Sequence, residues 1–328
     1  MSLVRIISII GISIAFPSLA SAAKITKVDR TDCHILLEGP IEKGDLERLT
    51  HIASADGMLR DAFIDEPQHF LCLNSPGGSY LEGLAISEFM IKYAIGTRIE
   101  KGSLCASACA IIFMSGTSRG EEWDQPKRLL HVGGSLGFHA PYLSLKDTEG
   151  YSSKDVETFF DLANRLMSGF AKIFAHQSPF YSDSWIRGSL ISEIYAKGRE
   201  ELLFVDMVDK AGRWDIELYG FKPKKLTLAH VAQACYNFQE WVQDRPGQKY
   251  KPDAYSNPII QDKKTGYYKV DTGGMEESYC DVGVWDEHIR ICSVNDFTAS
   301  NHGRCPNKYW IINLYKAEAP ETKILSLE

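Results

Sequence analysis

Three short segments carry the residue types that acyl transfer needs. Asn74-Ser75-Pro76-Gly77-Gly78-Ser79 is a glycine turn, Leu104-Cys105-Ala106-Ser107-Ala108-Cys109-Ala110 sets one serine among small residues, and Leu136-Gly137-Phe138-His139-Ala140-Pro141 holds a histidine. A serine hydroxyl attacks a carbonyl when a base takes its proton and backbone N–H groups receive the charge that develops on oxygen. Glycine exposes bare N–H groups, a helix start favours negative charge, and small neighbours let a peptide approach. Ser107 is therefore the candidate nucleophile, His139 the candidate base, and Pro76-Gly77-Gly78 the candidate oxyanion turn. Each has an ordinary reading when taken alone: such turns are common, and a lone serine or histidine is more often packing. The order and spacing of all three carry the argument. His131 is a rival base, but Leu129-Leu130-His131-Val132 reads as strand; His176, past a long helix, reads as structural; and Glu121, Glu122 and Asp124 read as a solvated loop. The chemistry calls for no metal and no organic cofactor.

These segments need elements to position them. Cys33–Gly39, His69–Asn74 and Thr97–Glu100 read as strands, and Asp45–Ala53 and Tyr80–Ala94 as helices between them. Leu81, Leu84, Ala85, Phe89, Ile91 and Ala94 recur at helical spacing. Ala106–Met114 reads as a small-residue helix entered directly from the third strand. Strand and helix alternating in short succession imply an α/β fold, a parallel sheet with crossover helices. The glycine turn then lies at the C-terminal end of a parallel strand, where open α/β sheets place ligands. Ser153–Ala175 is a longer amphipathic helix, with Ser153 and Val156 giving only half a capping signal. Pro223 among Lys222, Lys224 and Lys225 marks a boundary within Tyr219–Lys225. Thr227–Val242 then reads as one helix, and Tyr267–Val270, Tyr279–Trp285, Ile289–Val294 and Tyr309–Tyr315 as short strands.

With those residues in view, the chain resembles the proteolytic subunit of Clp protease, and more closely its secreted, ClpP-like relatives in the ClpP/crotonase superfamily. The resemblance rests on Asn74–Ser79, a serine 29 residues after Gly78 and a Phe138-His139 pair 32 residues after that serine, and it spans about Lys24 to Arg213. It implies a ClpP/crotonase-like fold, Ser107 as nucleophile, His139 as general base, and Gly78 and Ala108 as oxyanion donors. The Ser-to-His spacing exceeds that of the Clp subunit, and a polar insertion at Gly120–Lys127 accounts for the excess. The third triad member should be an aspartate just before Ile194-Tyr195-Ala196-Lys197-Gly198-Arg199, but Glu193 is the nearest carboxylate there and Asp183 a more distant one. The implied activity is serine hydrolysis of peptides or unfolded proteins; the alternatives are a peptide-binding scaffold with a degenerate site, and a crotonase-type acyl-CoA enzyme that would not need Ser107.

The rest of the sequence bounds the setting. The composition, 44% hydrophobic and 24% charged, is globular, and the net charge of −7 without a Lys/Arg run argues against a nucleic-acid partner. Arg5, the apolar Ile6–Phe16 and Ala20-Ser21-Ala22 read as a signal peptide over 1–22, with the exported chain starting at Ala23 and no membrane span remaining. Export makes an ATP-driven unfoldase partner unexpected; a homo-oligomer is open. The expected organisation is then a ClpP/crotonase-like domain over 23–221 and a smaller, disulfide-containing α+β region over 222–328, which the resemblance does not cover. Cys235, Cys280, Cys292 and Cys305 are expected to form two bridges, with three pairings open. A zinc site there would lack any Cys-x-x-Cys spacing. Cys33 and Cys72 could be free or paired, and Cys105 could reach Cys109 only if it precedes the first helical turn.

Overall fold

The computed structural model describes residues 22–59, 69–120, 124–140, 150–176, 184–197, 201–252, 259–263, 266–272, 279–285, 288–293 and 310–328. Residues 1–21 of the expected leader, Glu121, Glu122, Asp183, Cys305 and the side chain of Cys292 lie outside them. Along the first part of the chain run β1 (Lys24–Arg30), β2 (Cys33–Glu38), α1 (Asp45–Ala55), β3 (Phe70–Asn74), α2 (Tyr80–Lys92), β4 (Gly96–Ile99), β5 (Leu104–Ala106) and α3 (Ala108–Met114). There follow β6 (Thr117–Arg119), β7 (Asp124–Pro126), β8 (Arg128–His131), β9 (Ser135–Phe138), α4 (Ser153–Phe174), α5 (Gly188–Tyr195), β10 (Leu203–Phe204), α6 (Val208–Arg213) and β11 (Glu217–Tyr219).

β3 is apolar because it is covered on both faces. Phe70-Leu71-Cys72-Leu73 is buried at every position, the continuous run of a strand inside a parallel sheet. The main sheet has the order β1-β2-β3-β4-β8-β11, antiparallel between β1 and β2 and parallel from β2 onward. A second sheet, β10-β9-β5, pairs β5 with β9 in parallel. The expected mixed α/β architecture with parallel strands is present. One expectation changes: the small-residue helix is not entered from the third strand. A turn at Gly102, with φ +76°, ends β4's run, β5 forms separately on β9, and the helix begins at Ala108. The insertion at Gly120–Lys127 contributes the β7 arm of a β6–β7 hairpin.

Helix boundaries follow local capping. Ser79 accepts the Glu82 N–H at the start of α2. The cap of α4 lies one residue before the expected Ser153: Ser152 accepts the Asp155 N–H and the Asp155 carboxylate accepts from Ser152, a complete capping box. Only Leu166, Phe170 and Ile173 of α4 are fully buried, whereas Val156 and Phe160, expected on its apolar side, are exposed.

Beyond β11, α7 (Leu228–Trp241) is capped by Thr227 and lies against a sheet of β12 (Ile260–Gln261), β13 (Tyr268–Asp271), β14 (Tyr279–Val284), β15 (His288–Ser293) and β16 (Trp310–Asn313), an antiparallel meander in chain order. Val231, Cys235, Phe238, Val270, Cys280, Val282, Ile289, Ile291 and Ile312 form its own core. Cys235 and Cys280 lie at disulfide distance, Cα–Cα 6.3 Å, tying α7 to β14. Cys33 and Cys72 are likewise paired, Cα–Cα 5.8 Å. The unit over 222–328 is not sealed off. Trp241, Tyr315, Ile324 and Leu327 join the first core, the Tyr315 hydroxyl donates to the Ile216 carbonyl at 2.8 Å, and the Ile324 N–H donates to the Asp206 carbonyl at 2.9 Å. Among the described residues no helix is long and apolar enough to cross a membrane.

Candidate active site

Ser107 stands at the junction of β5 and α3. Its backbone angles, φ 58° and ψ −124°, are rare for any residue but glycine. Such a conformation costs about 1–3 kcal/mol and persists only where the surroundings enforce it, so strain of this kind gathers at functional sites. A sharp, strained strand-to-helix turn is also the device that lifts a serine hydroxyl clear of a sheet edge. The enforcing contacts are specific. The Ser107 N–H donates to the Gly137 carbonyl at 3.1 Å, and the Ser107 carbonyl accepts the Ala110 N–H at 2.9 Å. Gly83 on α2 lets Ala108 come close, since a Cβ there would lie 3.1 Å from the Ala108 Cβ.

The glycine turn is stitched to the same strand. The Ser75 N–H donates to the Leu104 carbonyl at 2.7 Å, the Ala106 N–H to the Ser75 carbonyl at 3.0 Å, and Ser75 bridges Cys105 in parallel. The buried Ser75 hydroxyl accepts the Gly77 N–H at 3.1 Å. Gly77, at φ +100°, has no room for a side chain: a Cβ would lie 2.6 Å from the Ser107 Cβ and 3.1 Å from the Ala108 nitrogen. Sequence reasoning assigned the second glycine a role and missed this one; the doubled glycine was the available signal. Ile41 takes the groups on either side of Gly78, donating to the Gly77 carbonyl and accepting the Ser79 N–H, both at 2.7 Å. Gly78's own N–H is thereby left on the other side of the strand. Among the described residues, neither the Gly78 N–H nor the Ala108 N–H meets a protein acceptor. Two donors are therefore available beside the serine, as an oxyanion requires.

His139 follows β9 as Ser107 follows β5. The strands pair in parallel with Ala106 opposite Gly137, so serine and histidine leave the same end of the sheet. The His139 ring is half-buried, and its Nδ1 lies 2.8 Å from the Ala140 carbonyl oxygen. With a proton on Nδ1 donated to that carbonyl, Nε2 carries the lone pair that a general base needs.

Glu193 is engaged elsewhere. It lies on α5, and its Oε1 accepts from the largely buried Arg213 of α6 at 2.6 Å, with Asp209 a second partner of Arg213 at 3.5 Å. The carboxylate that the sequence offered as third member of a triad is thus held by Arg213. His131 ends β8, where its Nδ1 accepts the Gly133 N–H at 2.9 Å, its ring meets Tyr219 edge-on, and burial lowers its pKa. His176 closes α4 with its ring against Trp185. The structure thus brings Ser107, Ala108, Gly78 and His139 to one end of β5 and β9 and leaves Glu193 on an ion pair.

Cys105 and Cys109 lie at disulfide distance across the serine, Cα–Cα 5.2 Å. The condition set by the sequence is met, because Cys105 belongs to β5 and Cys109 to the first turn of α3. No protein-family model and no curated protein matches this chain.

Proposed function

We propose that this chain is an exported serine hydrolase of the ClpP/crotonase kind, acting on short or unfolded peptides. The observation that carries the reading is the Ser107 turn: a strained, small-walled serine with two unclaimed backbone donors, Gly78 N–H and Ala108 N–H, beside it. The parallel β2-β3-β4-β8-β11 order with a second sheet of β5 and β9 is the kind of framework the resemblance implies. Cysteine pairs at disulfide distance support an oxidising compartment.

In this reading His139 Nε2 takes the proton from Ser107 Oγ as the oxygen bonds to the substrate carbonyl carbon. The carbonyl electrons move onto oxygen, where the N–H groups of Gly78 and Ala108 receive them. The C–N bond then breaks, His139 returns the proton to the leaving amine, and water repeats the sequence to release the acid. The Ala140 carbonyl holds the imidazole in the required tautomer and accepts from the imidazolium, a part for which a carboxylate is the commoner choice. A fluorophosphonate probe on the purified chain should modify Ser107, and Ser107→Ala should abolish labelling. An inert wild type across diverse peptides and probes would favour the second reading, a peptide-binding scaffold. The observation on its side is Glu193, whose carboxylate goes to Arg213.

A further inference from the structure

We propose that the Cys105–Cys109 bridge is the positioning element of the Ser107 turn, so that the site works when the bridge is closed and fails when a dithiol opens it. The proposal rests on Ser107 as nucleophile.

Cys105 is the residue at which every part of the site meets. It bridges Ser75 of the glycine turn, it stands opposite Leu136 on the strand that leads to His139, and its side chain reaches Cys109 across Ser107. The two cysteines sit two residues before and two residues after the serine, both without solvent exposure. A bridge there has one local effect: it fixes the end of β5 against the first turn of α3 and narrows the backbone freedom of Ala106, Ser107 and Ala108. The other two pairs close loops with sequence separations of 39 and 45, against 4 here. Loop-closure entropy grows only logarithmically with loop length, so this bridge restrains the unfolded chain about half as much as either of those two. A short bracket around a strained residue is placed to hold geometry rather than to hold the domain together.

Opening balances simply. The Sγ–Sγ bond takes two electrons and two protons from a dithiol, which closes its own disulfide, and Ala106–Ala108 gain the freedom to relax from the positive φ at Ser107. Relaxation moves the Ser107 Oγ and the Ala108 N–H together, so both attack and oxyanion stabilisation suffer. A displacement of about 1 Å in a reacting group can cost about 100-fold.

The test uses the full chain. The fluorophosphonate labelling rate and hydrogen exchange over residues 104–114 are measured for wild type, C105A/C109A, C33A/C72A and C235A/C280A, each with its thermal midpoint. The C105A/C109A variant should label about 10- to 100-fold more slowly, exchange faster over 104–114, and keep its midpoint within a few degrees. Dithiothreitol should slow the wild type to the same extent, re-oxidation should restore it, and C105A/C109A should respond to neither. Labelling at the wild-type rate in C105A/C109A, or in wild type whose 105–109 bridge is shown by mass spectrometry to be open, overturns the proposal. If C105A/C109A fails to fold, the reduction and re-oxidation arm decides. If oxidised wild type labels with no probe, the nucleophile reading fails instead. Hydrogen exchange then judges the bracket alone: unchanged exchange over 104–114 on opening overturns it.

Discussion

The two β regions of this chain handle their backbone in opposite ways. In the C-terminal meander β13 pairs Tyr268–Asp271 with Tyr279–Val282 of β14, β14 pairs Cys280–Val284 with Ile289–Ser293 of β15, both in regular antiparallel register, and a Cβ at Gly266 would meet nothing within 4 Å among the described residues. In the first region the ends of β3 and β5 carry Gly77, Gly78 and Ser107, all at positive φ and packed against one another or against Ile41. There two N–H groups lack protein acceptors among the described residues. A regular sheet spends its donors on itself and has little left for a ligand. Strain and unspent donors gather at the parallel strand ends, where a ligand can use them, and the meander with α7 forms a core of its own.

Five variants put that contrast to the test. The largest effect is expected from His139→Ala, which should slow labelling of Ser107 by about 10²–10⁴-fold if general-base help is lost, while the melting temperature barely moves. Gly77→Ala comes next. Its methyl would meet the Ser107 Cβ and the Ala106 carbonyl, so labelling should collapse and stability fall by about 1–3 kcal/mol in denaturant titrations. Gly266→Ala, also at positive φ but with nothing among the described residues within 4 Å, is its control and should cost about 1 kcal/mol with labelling intact. Removing both Cys235 and Cys280 should lower stability by about 2–4 kcal/mol and leave the labelling rate alone. The smallest effect should come from Glu193→Ala: about 1 kcal/mol of stability, through an Arg213 left with Asp209, and an unchanged labelling rate. A hundredfold loss of labelling in Glu193→Ala would return that residue to the triad.

Much of the framework was legible because it is written in periodicity. The apolar run Phe70–Leu73 and the spacing of Leu84, Phe89 and Ile91 announce a buried strand and the helix after it, and the structure has β3 and α2 there. The serine, the glycine turn and the histidine stood out as candidates from their order along the chain, and the pairing of β5 with β9 and with Ser75 brings them to one sheet end. What failed to show was anything decided by three-residue elements or by competition between distant groups. β5 is too short to have a period, and its partner β9 lies about 30 residues away. The choice of Arg213 by Glu193 depends on two side chains 20 residues apart, one on α5 and one on α6, meeting in the fold, which no local pattern encodes. The Ser152 cap was missed by one residue because Ser152 and Ser153 are adjacent and only the first has an acidic residue three positions on.

The return of residues 315–327 to the first core has a consequence for how the protein is made. The Tyr315 hydroxyl reaches the Ile216 carbonyl across 99 residues, and Ile324 and Leu327 fill apolar ground beside strands laid down far earlier. Contacts of such separation form late and slowly, because a long loop must close before they contribute. A nascent chain that had emerged only through β11 would therefore display an unfilled apolar slot until α7 and the meander had followed. Expression of residues 23–221 alone should meet the same difficulty: the slot for Trp241, Tyr315, Ile324 and Leu327 would face solvent, so the fragment should self-associate where the longer chain does not.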